Sequence, residues 1–268
     1  MNKPLQVILI LALIFSSCEK SFVPADDIPK KYDIPKDYPT TYNKLSQDSL
    51  AQLQSAYVLK NKYVVSSLNE FGFCGKGDVP SLSPPFSNKI TKDEAVAKVK
   101  LFCSQNPIET GVKNPEDLKL DASASSTNYN GTTTWALVFS SQEYDTSEVI
   151  GTRLFFRLKS AEVVSCIGNW YTNVYIPKEF NISQEKAKKL VLNKVVSFYT
   201  FAGIKYDATI SSEHLTNSVV KLSIFPVTTD DKIELRVTWQ IWIHSGLFIF
   251  YVDVMTGEII GQGTTYIS

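Results

Sequence analysis

One helix-opening pattern occurs twice in this chain, and that repetition limits the possible folds more than any other feature. Lys89-Ile90-Thr91-Lys92-Asp93-Glu94-Ala95 aligns with Asn181-Ile182-Ser183-Gln184-Glu185-Lys186-Ala187, Ile182 standing 92 positions after Ile90. A hydroxyl residue at the N-cap and a small apolar residue stay in register in both copies. In the first, Thr91 with Glu94 makes a capping box, and Ala95, Val99, Phe102 and Cys103 share one helix face. In the second, Ser183 caps and Lys186 takes the third position, so the box is missing. Ala187, Leu190, Val191, Val195 and Phe198 form its apolar stripe.

The echo continues downstream in strand-like segments. Thr134-Trp135-Ala136-Leu137-Val138-Phe139 resembles Thr238-Trp239-Gln240-Ile241-Trp242-Ile243, and Phe155 to Val164 resembles Tyr251 to Ile260, although the earlier copy lacks the Asp and Gly of the turn. From Glu234 to Gln262 the chain reads as three consecutive antiparallel strands. Leu235, Val237, Trp239, Ile241 and Ile243 alternate with Glu234, Arg236, Thr238, Gln240 and the exceptional Trp242, the period of a half-buried strand. Leu247 to Val252 is an inner strand too short for a membrane span. Asp253 to Gly257 then supplies a turn-capping carboxylate and a glycine free to adopt positive φ before Glu258-Ile259-Ile260. The Asn130-Gly131 pair is a further turn signal, and Asn217 to Pro226, with Val219, Val220, Leu222, Ile224 and Phe225, a further strand.

The closing residues Tyr251 to Ile260, an apolar strand, an Asp and Thr-Gly-Glu followed by aliphatics, resemble the closing hairpin of a PepSY domain. Ile182 to Ala187, after the segment Asn169-Trp170-Tyr171 to Pro177, resembles the helix that opens such a domain. Similar segments join the propeptide modules of thermolysin-like proteases. The expected fold is therefore α+β, two tandem helix-on-antiparallel-sheet units, PepSY-like, over residues 89–180 and 181–268. The resemblance implies roles beside secreted peptidases as propeptide, inhibitor or assembly aid.

A chain of 268 residues, 44% hydrophobic and 12% aromatic, can bury a full core in one or two domains. With 27 basic and 27 acidic residues it has no global field to draw nucleic acid. Residues 1–18 read as an export signal: Lys3, an apolar run Leu5 to Phe15, then Phe15-Ser16-Ser17-Cys18. This resembles a bacterial lipobox, which implies a diacylated Cys18 as the membrane anchor in the cell envelope. Residues 19–44, with Pro24, Pro29, Pro35 and Pro39, read as a stiff tether. Residues 45–88 read as a helical lead-in from Leu45 to Phe71, in which Tyr63-Val64-Val65 could equally begin a strand, and a breaker-rich loop from Gly72 to Asn88.

With Cys18 lipidated, Cys74, Cys103 and Cys166 allow three single bridges. The expected pair is Cys74 with Cys103, because Cys74 lies in a loop leading toward the helix that bears Cys103, whereas Cys166 on an apolar strand reads as a buried free thiol. Most catalytic templates find no parts here. His214 and His244 lack ligand spacing for zinc, and no serine elbow, S-x-x-K or dinucleotide glycine pattern occurs. Asp26-Asp27 and Asp230-Asp231 read as solvated loop acids and not as a glycosidase pair. No catalytic residue, metal or cofactor is expected. The aromatics Trp170, Tyr171 and Trp242 are the candidate binding surface. The expected function is a lipid-anchored, non-catalytic envelope protein that binds a peptidase or an extended peptide. The alternative is a glycan-binding outer-membrane lipoprotein of a nutrient-uptake system.

Overall fold

The structure, a computed structural model, describes residues 33–79, 81–84, 89–129, 132–199, 205–243 and 248–264. The export signal, Cys18, most of the tether, the Asn130-Gly131 turn and His244 lie outside the described residues. Strand β1 (Thr40–Asn43) and helix α1 (Gln47–Lys60) precede a short hairpin, β2 (Ser66–Leu68) and β3 (Cys74–Asp78). Helix α2 (Lys92–Gln105) runs into the single turn α3 (Pro107–Thr110). Then come β4 (Ser126–Tyr129), β5 (Thr133–Phe139), β6 (Glu143–Tyr144), β7 (Ser147–Val149), β8 (Arg153–Lys159) and β9 (Glu162–Asn169). Helix α4 (Gln184–Val191), a hairpin of β10 (Val195–Tyr199) and β11 (Lys205–Thr209), and α5 (Ser212–Thr216) lead to β12 (Val219–Thr228). The chain closes with β13 (Lys232–Ile243), β14 (Phe248–Asp253) and β15 (Ile259–Thr264). The architecture is mixed α/β, rich in sheet and poor in helix.

Both repeated helix starts are helix starts. Thr91 Oγ1 accepts the Glu94 N–H at 3.2 Å, and Glu94 Oε2 accepts the Thr91 N–H at 2.7 Å, completing the box that satisfies two otherwise orphaned donors. Ser183 Oγ accepts the Lys186 N–H at 3.2 Å. Ala95, Val99, Phe102 and Cys103 are buried, as their spacing predicts. They pack on the sheet ordered β4-β5-β8-β9, where Leu137, Phe139, Leu154, Phe156 and Leu158 form the opposing surface. Phe102 and Phe139 both meet the Phe156 ring edge-on, at 6.0 and 5.8 Å between centroids. Each such side chain contributes roughly 1.5–3 kcal/mol on burial, so this layer fixes how α2 docks.

The second sheet contains the run β12-β13-β14-β15, antiparallel throughout. One hydrogen bond occurs in both halves at aligned positions. Trp135 Nε1 donates to the Ile90 carbonyl at 3.3 Å, and Trp239 Nε1 donates to the Ile182 carbonyl at 2.7 Å. Each indole ties the second strand of its run to the residue just before a helix cap.

Several expectations need correction. The second helix stops at Val191, so Val195 and Phe198 belong to strand β10 and Val195 is 54% exposed. Asn193 adopts φ +62°, and Asn193 N–H and Ile210 N–H pair with the carbonyls of Ile210 and Lys194, so a ladder replaces the helix beyond that left-handed residue. The tether is folded at its C-terminal end: β1 pairs antiparallel with β13 over Lys232–Leu235, beyond the reach of β14, which pairs β13 only from Thr238. The lead-in helix ends at Lys60, and β2 and β3 occupy part of the stretch read as helix and loop. Residues 34–268 form one compact unit, within which both halves lie. β7 leaves the first half and pairs in parallel with β12 at Ser223↔Glu148 and Ile224↔Val149.

Strand β13 is buried on both faces. Its apolar side is inside as predicted, but Thr238 and Gln240 are buried too. Thr238 bonds the Ser223 hydroxyl at 2.9 Å and Gln240 Nε2 donates to Tyr251 Oη at 3.1 Å. The Phe225 and Tyr251 rings lie 4.3 Å apart on this side. They cross Gly261, where a Cβ would stand 2.7 Å from Phe225 Cζ, so a side chain there would displace the ring.

Candidate functional site

Asp253 is fully buried at the end of β14 and accepts four hydrogen bonds. Oδ1 takes the N–H groups of Met255 and Thr256 at 2.7 and 3.0 Å, which is the turn-capping role its position predicts. Oδ2 takes the Tyr38 hydroxyl at 3.0 Å and Arg236 Nη1 at 3.5 Å. Tyr38 Oη in turn accepts the Val237 N–H at 3.1 Å. The carboxylate therefore latches the segment before β1 to the closing hairpin. Burial and the neighbouring Asp253 charge push the Tyr38 hydroxyl well above the ordinary tyrosine range, so it remains a donor. Arg236 also meets Glu234 at 2.7 Å and Glu258 at 3.0 Å. Burial works against the charge on Glu234, but hydrogen bonds from Lys232 and Arg236 outweigh it and hold the carboxyl below its usual 4.5. These are structural charges, already paired.

The predicted binding aromatics are mostly withdrawn from solvent. Trp170 is 4% and Tyr171 2% exposed, the Tyr171 ring packing 5.3 Å from Tyr42 and 5.7 Å from Phe73. The Tyr171 backbone is held on both sides by Gln142, whose Nε2 donates to its carbonyl at 2.6 Å and whose Oε1 accepts its N–H at 2.9 Å. Neither ring offers a stacking surface, because β1 and the β2–β3 hairpin bring Tyr42 and Phe73 against Tyr171. Trp242 is half-buried on β13, with Lys221 Nζ 5.4 Å from its ring centroid. His214 serves its own helix: Nδ1 accepts the Ser211 N–H at 3.1 Å.

The expected Cys74–Cys103 bridge is not formed. Cys74, Cys103 and Cys166 are free, buried thiols. Strand β9 carries Cys166 to Cys74, whose Sγ also lies 3.5 Å from the Tyr57 hydroxyl. A convergence of three was not visible in the sequence. Burial pushes the Cys103 thiol up to about 12 and raises Cys166 as well, so both stay protonated.

Two depressions of similar size remain. One, about 750 Å³, lies between the loops around Lys119, Glu143 and Tyr171. Some of its polar groups are paired with each other: Lys119 meets Glu143 at 2.6 Å and the Tyr144 hydroxyl donates to the Tyr171 carbonyl at 2.8 Å. The other, about 720 Å³, is a groove on the face of the first sheet turned away from α2, walled by β3 and residues 81–84. Lys76, Arg157 and Lys159 line it, and among the described residues none of the three has an ion-pair partner. The alternation of Phe155, Arg157 and Lys159 with buried Leu154, Phe156 and Leu158 is legible as a period of two. What the sequence could not supply was the wall opposite.

The sheet also has an open edge. Among the described residues β4 pairs only with β5, and all of Ser126–Tyr129 is exposed, Tyr129 at 58%. The other edge is capped, since Val65 N–H donates to the Val164 carbonyl at 2.8 Å and Cys166 N–H to Ser66 Oγ at 3.1 Å.

No family model matches the chain, and no curated protein matches it. Among solved structures it has a weak likeness to the Bacillus megaterium YpeB C-terminal domain, at 11% identity over 82% of this chain and 98% of that one, with a TM-score of 0.29. A likeness of that size carries no argument about function.

Proposed function

We propose that the chain is a lipid-anchored, non-catalytic envelope protein that holds a peptide or protein partner, acting in trans as a propeptide-like or inhibitor-like module for a secreted peptidase. The observation that carries this reading is the β4 edge: four exposed residues with one side unpaired among the described residues, able to accept an added strand through main-chain hydrogen bonds alone. We also read the two halves as tandem PepSY-like units. Support comes from the repeated indole-to-carbonyl bond of Trp135 and Trp239, and from two antiparallel four-strand runs, each preceded by a capped helix. Anchoring rests on the Phe15–Cys18 lipobox resemblance.

The test is capture from envelope extract by the full chain, with identification of the captured proteins, beside variants carrying Thr127→Pro or Asn128→Pro. These two residues are neighbours, so in an antiparallel pair one of them directs its N–H away from β5. The reading requires a peptidase that the full chain retains and one of these variants releases. Retention by both variants, or no peptidase at all, would sink it. Incorporation of labelled palmitate that Cys18→Ser abolishes checks the anchor.

A further inference from the structure

The groove above the first sheet gathers three cations, Lys76, Arg157 and Lys159, that have no ion-pair partner among the described residues. Some surface cations elsewhere are paired: Lys100 meets Glu116, Lys221 meets Glu148, and Lys232 and Arg236 meet Glu234. In the groove, Lys76 on the wall and Arg157 and Lys159 on the floor face a single lining acid, Asp78. Phe155 and Ile167 sit opposite each other in register on β8 and β9, half-buried, one step along the strand from Arg157. The floor thus runs apolar, cationic, cationic at alternate residues of β8.

We infer that this groove binds an extended acidic peptide, one apolar residue followed by carboxylates at alternate positions, laid along β8. The argument is a match of spacing and sign. Alternate residues of a strand recur about every 7 Å, so Phe155, Arg157 and Lys159 repeat with the period that alternate side chains of an extended peptide show. An apolar side chain over Phe155 and Ile167 then brings the next two facing carboxylates over Arg157 and Lys159, with Lys76 closing on them from the wall. Arginine can take a carboxylate by two parallel bonds, which adds orientation to attraction. An acidic polysaccharide meets the charges but not this alternation, and the groove offers it no broad exposed indole to stack on. The inference deepens the peptide-binding reading by naming the peptide's chemistry, and it uses a different surface from the β4 edge.

The test is fluorescence anisotropy with the full chain at low salt and a labelled peptide, Thr-Val-Thr-Asp-Thr-Asp-Thr. Three controls go with it: the same peptide with Asn for Asp, an isomer with the two Asp adjacent, and a polyuronate. The expected result is binding of the alternating peptide, at least tenfold weaker for the Asn form and several-fold weaker for the isomer. A double Arg157→Gln, Lys159→Gln variant should lose at least tenfold, while Lys188→Gln, Lys189→Gln on α4, with the same change in net charge, should bind as the parent does. Both pairs are surface changes, and an unaltered thermal melt checks that they fold. Equal binding of the isomer, a tighter fit to polyuronate, equal losses in both variants, or no binding by the parent chain overturns the inference. If peptidase capture that depends on β4 persists in any of those cases, the broader reading stands without it.

Discussion

The two helix-and-sheet halves differ most at one aligned position. In the second, Asp253 is buried, takes four hydrogen bonds and draws in Tyr38 and Arg236. In the first, the residue in the same register is Lys159, which lies opposite Thr134 as Asp253 lies opposite Thr238, and it is exposed and without an ion-pair partner among the described residues. The difference extends to the borders. The second sheet has β1 laid on β13 and β7 on β12, whereas the first leaves β4 bare. Similar secondary structure can thus serve as a closed support or as an open surface. Which one it becomes depends on whether polar groups find partners within the chain.

The strongest way to break this contrast is at the paired position itself. Asp253→Ala should cost about 3 kcal/mol in urea unfolding, because it strands the Arg236 charge, the Tyr38 hydroxyl and two turn N–H groups together. Equal losses for Asp253→Ala and Lys159→Ala would mean that the halves do not differ in the way described. Tyr38→Phe should cost about 1 kcal/mol, the usual worth of a hydroxyl hydrogen bond, and measuring it in the Asp253→Ala background should show most of that cost gone.

The helix caps sharpen the comparison on a smaller scale. Thr91→Ala should lower stability by about 1 kcal/mol. Ser183→Ala should lower it slightly less, since its cap has no reciprocal glutamate. Acid adds a test with a sign. Because the folded carboxyl of Glu234 lies below 4.5, its contribution is present above that value and is lost as pH falls through the depressed one. Urea midpoints taken from about pH 6 to about pH 3 should therefore fall less steeply in Glu234→Gln than in the parent. The smallest effect belongs to Lys159→Ala, within about 0.5 kcal/mol of the parent.

What the sequence made legible was local. The capping box at Thr91, the stripe from Ala95 to Cys103 and the alternation from Leu235 to Ile243 each follow from residues a few positions apart. The turn role of Asp253 was readable too, for its two N–H partners lie within three residues. Its other partners, Tyr38 and Arg236, were not, because 215 residues separate Tyr38 from the carboxylate it binds. The same limit explains the misread aromatics. Trp170 and Tyr171 look like ligand-facing residues until Tyr42 and Phe73, from distant parts of the chain, are brought against Tyr171. It explains the thiols as well, since only the docking of β9 brings Cys166 to Cys74. The end of α4 fell to a local competitor that the apolar stripe concealed: Asn193 in a left-handed conformation, followed by two β-branched valines.

The small parallel pairing of β7 with β12 also bears on how this protein can be divided. A fragment ending near residue 180 would carry β7 paired only with the two-residue β6, and one beginning there would present β12 as a raw, sticky border. Anyone seeking the halves as independent pieces should expect precipitates unless the excursion from Glu143 to Val149 is grafted along with the second.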